Sequence, residues 1–119
     1  MPNEPLIRQQ TSVRLSRTIR HGDMLYLSGI TAADGGSDIQ GQTRKVLEKL
    51  DEFLRLNGTD KTRLVSAQIW LRDIDRDFKG MNEVWDQWTP KDAAPTRAAG
   101  ECRLADPAVL VEIIATAAL

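Results

Sequence analysis

The chain has one cysteine, Cys102, in 119 residues. That excludes an intrachain disulfide framework and fits a reducing compartment. It has one histidine, His21, beside Gly22 in a turn-like segment, where a solvated side chain is the expected role. One histidine cannot supply a pair for general acid–base cleavage, and one histidine with one cysteine cannot build an ordinary tetrahedral zinc site. Gly35-Gly36 lacks both the Lys-Ser/Thr of a phosphate loop and the dinucleotide fingerprint. No apolar run reaches transmembrane length, and the opening MPNEPLIRQQTS contains no apolar signal core. Neither sign of charge is in excess: the net charge is −1 and the pI about 5.8. There is thus no global drive toward nucleic acid or an anionic membrane. Arg8, Arg14, Arg17 and Arg20 read as a solvated basic face. The expectation is a cytoplasmic protein with no metal, no cofactor, and no membrane or nucleic-acid partner.

What is present suits one small globular domain over residues 1–119. The chain is 41% apolar and 28% charged, with no internal repeat, low-complexity tract or linker. A domain of this size buries about 65% of the surface its unfolded chain exposes, enough for one modest core.

Residues 1–10, with two prolines, read as a loose arm, and Thr11 to Ile19 as a weakly alternating strand. Arg20 to Asp23 reads as a hairpin turn. Met24 to Ile30 (MLYLSGI) is an apolar strand, and Gly29 near its end predicts a bulge or a close backbone approach. Asp38 is placed to cap a helix carrying Val46, Leu47, Leu50, Phe53 and Leu54 at helical spacing, with Gly58 as its stop. Leu64 to Leu71 alternates as a strand, with Leu64, Ser66, Gln68 and Trp70 on one face. A second helix is predicted over Asp75 to Trp88, its apolar stripe formed by Phe78, Met81, Val84, Trp85 and Trp88. The order is ββαβαββ, which suggests one sheet with both helices on one face. Strands apolar on both sides leave the other face to be covered by self-association.

The last quarter, PTRAAGECRLADPAVLVEIIATAAL, is the most informative stretch. Val109 to Ala118 reads as a strand buried on both faces, and Cys102 as a small packing residue inside the preceding strand. Glu112 stands in the middle of the last strand, where a carboxylate is costly without a partner or a task. If the two strands pair as a hairpin across Asp106-Pro107, Arg97 and Glu112 face a common cleft. Arg97 could then bind a small carboxylate bidentately while Glu112 exchanges protons. A structural cross-strand salt bridge is the other reading of the same pair.

Three segments, DMLYLSG (Asp23–Gly29), MNEVWDQW (Met81–Trp88) and APTRAAGECRLADPAVLVEIIATA (Ala94–Ala117), make the chain similar to the Rid, or YjgF-like, family of reactive imine and enamine deaminases. The resemblance covers nearly the whole chain. It implies a chorismate-mutase-like α/β (α+β) fold and a homotrimer whose sheets line a central barrel, with ligand clefts between subunits. It implies hydrolysis of 2-imino or enamine acids to 2-keto acids and ammonia without a cofactor. In that resemblance Arg97 grips the substrate carboxylate and Glu112 positions or activates the water. Asn82 lies near the cleft, and the backbone of Ser28 and Gly29 lines it. The chain departs from deaminating members at two further cleft positions: Leu15 stands where they carry a Tyr, and Ala99 where they often carry a Cys. A non-catalytic homotrimeric module binding small carboxylates is the alternative that these departures favour. Endoribonuclease activity or inhibition of translation is a third class of function attached to the family.

Overall fold

The computed structural model describes residues 3–119; residues 1 and 2, part of the expected loose arm, lie outside the described residues. The elements are β1 (Leu6–Thr11), β2 (Ser16–His21), β3 (Met24–Leu27), β4 (Ile30–Thr31), α1 (Ile39–Leu56), β5 (Leu64–Leu71), α2 (Ile74–Trp88), β6 (Thr96–Glu101) and β7 (Val111–Ala118). They form the expected single mixed sheet with two helices against one face. Its strand order is β1-β2-β3-β7-β5-β6, and the short β4 also pairs with β7.

Local chemistry accounts for most boundaries. His21 lies opposite Met24, so Gly22-Asp23 makes the tight β2–β3 turn. The Asp38 carboxylate accepts from Gly41 N at 2.7 Å and caps α1, and Gly58 at φ 75° follows the helix end. Asp73 caps α2 by accepting from Arg76 N at 3.1 Å, which starts that helix one residue earlier than expected. Between β3 and β4, Ser28-Gly29 leaves the ladder as a bulge, as predicted.

One core lies between helices and sheet. Val46, Leu47, Leu50 and Leu54 of α1 and Met81, Val84 and Trp85 of α2 meet Leu25, Leu27, Ile69, Leu71, Val111 and Ile113. Leu50→Ala, at a side chain with no exposure, is expected to cost about 3 kcal/mol, read as a lower urea midpoint at unchanged m.

Several expectations are corrected. Residues 6–11 are not a loose arm; they pair antiparallel with β2, and the expected Thr11–Ile19 strand is split by a turn at residues 12–15. A register shift between Leu64 and Ser66 moves Leu64 into the core, away from Ser66, Gln68 and Trp70. Phe78 is 39% exposed, on the flank of α2 rather than in its buried stripe. Cys102 follows β6 and is exposed, so it is not a packing residue. Strand β7 buries Val111, Ile113, Ala115 and Ala117 and leaves Glu112, Ile114, Thr116 and Ala118 half-buried, because the helices cover only one face.

The largest correction concerns the last two strands. They are not a hairpin: β6 pairs in parallel with β5, and β7 pairs antiparallel with the other side of β5. The β5–α2–β6 unit is a parallel crossover, so β6 becomes a sheet edge and β5 separates it from β7.

Candidate functional site

That topology decides where the candidate residues stand. Arg97 lies opposite Ala67 on the helix face of β5, whereas Glu112 lies opposite Trp70 on the other face. Arg97 and Glu112 therefore make neither a common cleft nor a salt bridge within one chain. The candidate residues form two groups.

The first group sits at the sheet edge. Arg97 Nη1 donates to Asn82 Oδ1 at 2.8 Å, and its guanidinium lies 5.6 Å from the centroid of the Trp85 ring. Trp85 is held by the core and Asn82 is on the same helix, so α2 supports the guanidinium from below. Arg97 is exposed, and among the described residues no carboxylate pairs with it. The rest of its fork is available to a ligand. Ala99 is two residues along the same strand face, exposed, opposite Ile69.

The second group sits on the face away from the helices. Glu112 is half-buried on β7, and among the described residues nothing donates a hydrogen bond to its carboxylate. Gly29 lies directly against it: a Cβ there would fall 2.9 Å from Glu112 Cδ and closer still to Oε2. Ser28 Oγ donates to Ser16 O at 2.6 Å, and Ser28 N donates to Arg17 O at 3.0 Å. Leu15 ends the β1–β2 turn beside Ser16 and is 45% exposed. A recess of about 140 Å³ beside Glu112 is lined by Thr31, Leu104, Val109 and the Ala105-Asp106 bend.

That recess is built by residues without a signal in the sequence pattern. Arg72 donates to the carbonyls of Val109 (2.8 Å), Leu104 (2.8 Å) and Asp106 (2.7 Å), fixing the loop before β7. Gln42, 1% exposed, donates to Gly36 O and Ala108 O and accepts from Leu110 N. Each of its buried polar atoms is thus satisfied, which makes it a fixed tie between α1 and that loop. His21 is exposed as expected, although it is the last residue of β2, paired with Leu6 and Met24, and not part of the turn. Among the described residues no cluster of three or more His, Cys, Asp or Glu side chains could hold a metal, and no helix is long and apolar enough to cross a membrane.

The chain and its fold match a known family. Residues 7–119 fit the family model described as Endoribonuclease L-PSP. A RutC family protein of Haemophilus ducreyi is 36% identical over 114 residues, spanning 96% of this chain and 97% of that one. A YjgF family member from Neisseria meningitidis superposes with a TM-score of 0.93 at 35% identity, covering 98% of this chain and 97% of that one. A protein of the Rid family from Yersinia pestis superposes at 0.83 with 27% identity, covering 92% and 90%. The chain belongs to this family, the RutC/YjgF or Rid proteins.

Proposed function

We propose that the protein is a hydrolytic deaminase of 2-imino acids and their enamine tautomers, producing 2-keto acids and ammonia. The observation that carries this reading is Arg97: an exposed guanidinium, levelled by Asn82 and Trp85, with no acidic partner among the described residues. Such a fork binds a small carboxylate in two parallel hydrogen bonds. Family membership supports the same reading.

Because Arg97 and Glu112 lie on opposite faces of one sheet, the working site takes Arg97 from one subunit and Glu112 from the next. A homotrimer supplies that arrangement. The sheet face without helices, where Tyr26 is 45% exposed and Ile19, Trp70 and Ile114 half-buried, is the surface it would cover.

In the reaction, Arg97 holds the carboxylate and fixes the imine carbon near Glu112. Glu112 takes a proton from water as the water oxygen bonds to that carbon, and returns it to the nitrogen. The carbinolamine then gives its hydroxyl proton to nitrogen through the same carboxylate. The C–N bond breaks, ammonia leaves, and the carbonyl forms. Proton transfers balance, and no redox partner is needed.

The test is keto-acid release from enzymatically generated imines in a semicarbazide trap, with wild type and Arg97→Ala. Acceleration by wild type alone supports the reading. No acceleration across several imines by a folded protein that still binds 2-keto acids would assign it instead as a carboxylate-binding module.

A further inference from the structure

Beside the Ser28-Gly29 bulge lies a second hollow, about 340 Å³, which the chemistry above leaves without a task. Arg17, Gly29, Ile30, Thr31, Lys49 and Phe53 line it. Arg17 lays its guanidinium over Phe53, 5.3 Å from the ring centroid, and uses Nη1 for the carbonyls of Ser28 (3.4 Å) and Gly29 (3.1 Å). Its Nε and Nη2 donate to no protein group among the described residues, and no carboxylate there pairs with it. Lys49 differs: its Nζ donates to Thr31 O at 3.1 Å and to Asp34 at 2.9 Å. The hydrogen bond from Lys49 holds the Asp34 carboxyl below its ordinary range. The hollow thus has one neutralised cation and one guanidinium that is positioned, stacked on an aromatic ring and half unpaired.

Two residues stand between this hollow and Glu112. Gly29 lies against the Glu112 carboxylate and also lines the hollow. Thr31, opposite Glu112 in the β4–β7 ladder, lines both spaces.

We infer that the Arg17 hollow receives the far end of the substrate side chain, and that the preferred substrates are 2-imino acids whose side chain ends in a carboxylate. The inference rests on the deaminase reading, since it takes the imine carbon to lie at Glu112. A side chain leaving that carbon past Gly29 and Thr31 enters the hollow and meets the free edge of the Arg17 fork. A carboxylate there completes the guanidinium's hydrogen bonds, whereas an aliphatic end of equal length leaves them unmade.

The experiment compares the imines of glutamate and norvaline, which share chain length and differ in the terminal carboxylate. Each is generated by an amino-acid oxidase in the semicarbazide trap. Binding of the two product keto acids, 2-oxoglutarate and 2-oxopentanoate, is measured alongside by calorimetry. Wild type is expected to favour the dicarboxylate by about tenfold in both kcat/KM and Kd, the scale of a charge-assisted pair. Arg17→Gln is expected to bring the ratio close to unity, and Lys49→Gln to lower it less, because Asp34 already neutralises Lys49. Equal handling of both imines by wild type, or a preference that survives Arg17→Gln, overturns the inference and leaves the deaminase reading standing. Acceleration of neither imine over the protein-free rate overturns both. The wild-type ratio decides even if a variant misfolds.

Discussion

Arg97→Ala is expected to lose activity while keeping its fold. The side chain is exposed on an edge strand, and its protein contacts are one hydrogen bond to Asn82 and the face of Trp85. Removing it opens no cavity in the core and strands no deeply buried charge, so stability should change by no more than about 0.5 kcal/mol. The proposed function depends on it far more. In that proposal two charge-assisted hydrogen bonds orient a substrate whose hydrolysis is already possible in water, so orientation is the main contribution left to the protein. A loss of about 100- to 1000-fold in kcat/KM is expected, the scale of losing both binding and alignment. Arg97→Lys should recover only part of it, because an ammonium keeps the charge without the planar fork. Steady-state kinetics beside a thermal melt separate the two quantities. Unchanged kcat/KM in Arg97→Ala would remove the clamp from the account.

Gly29→Ala should be comparably damaging for a different reason. Its Cβ would enter the space of the Glu112 carboxylate, and the backbone there is held by Arg17 and Ser28. The flexible acid must yield, so Glu112 swings away from the water it is proposed to handle. About a hundredfold loss in kcat is expected, since misplacing a reacting group by about 1 Å has that scale. Binding of the 2-keto acid product, which rests on Arg97, should change much less. Equal damage to binding and turnover would show that Gly29 serves the cleft as a whole and not the carboxylate alone.

The helices were legible because several signals agree within each. α1 joins an Asp38 cap, an apolar stripe at Val46, Leu47, Leu50 and Leu54, and a following glycine. β1 was not legible. LIRQQT is exposed at nearly every position, so neither face carries an apolar alternation, and only pairing with β2 makes it a strand. The false hairpin has a related cause. Neighbouring strands joined by an Asp-Pro bend usually pair, and nothing local announces that β5 will come between them. The β5–α2–β6 crossover decides it, and that is a property of the whole sheet.

The candidate site was legible in proportion to its oddity. Glu112 stands out because a carboxylate interrupts an apolar strand, and Gly29 because a glycine ends one. Asn82 has no such local signal and came only from the family resemblance. Arg17 was hidden among four scattered arginines near the N-terminus. Its place over Phe53, against the carbonyls of Ser28 and Gly29, depends on contacts between elements far apart in sequence. Leu15 lies beside Ser16 at the end of the β1–β2 turn, while Ala99 shares the Arg97 face, so the two departures that the resemblance implies fall in different halves of the proposed site.

The central claim is that these halves belong to different subunits of one working site. The most direct measurement is complementation between two single variants, Arg97→Ala and Glu112→Ala, each assayed alone and after unfolding together and refolding as a mixture. If each site draws Arg97 from one subunit and Glu112 from the next, random mixing of equal amounts restores about a quarter of the wild-type sites, because half the clamps meet half the acids. Activity near that level, absent from either variant alone, is the predicted result. A mixture of verified mixed oligomers as inactive as its parents would contradict it, and would place both residues' work within one chain.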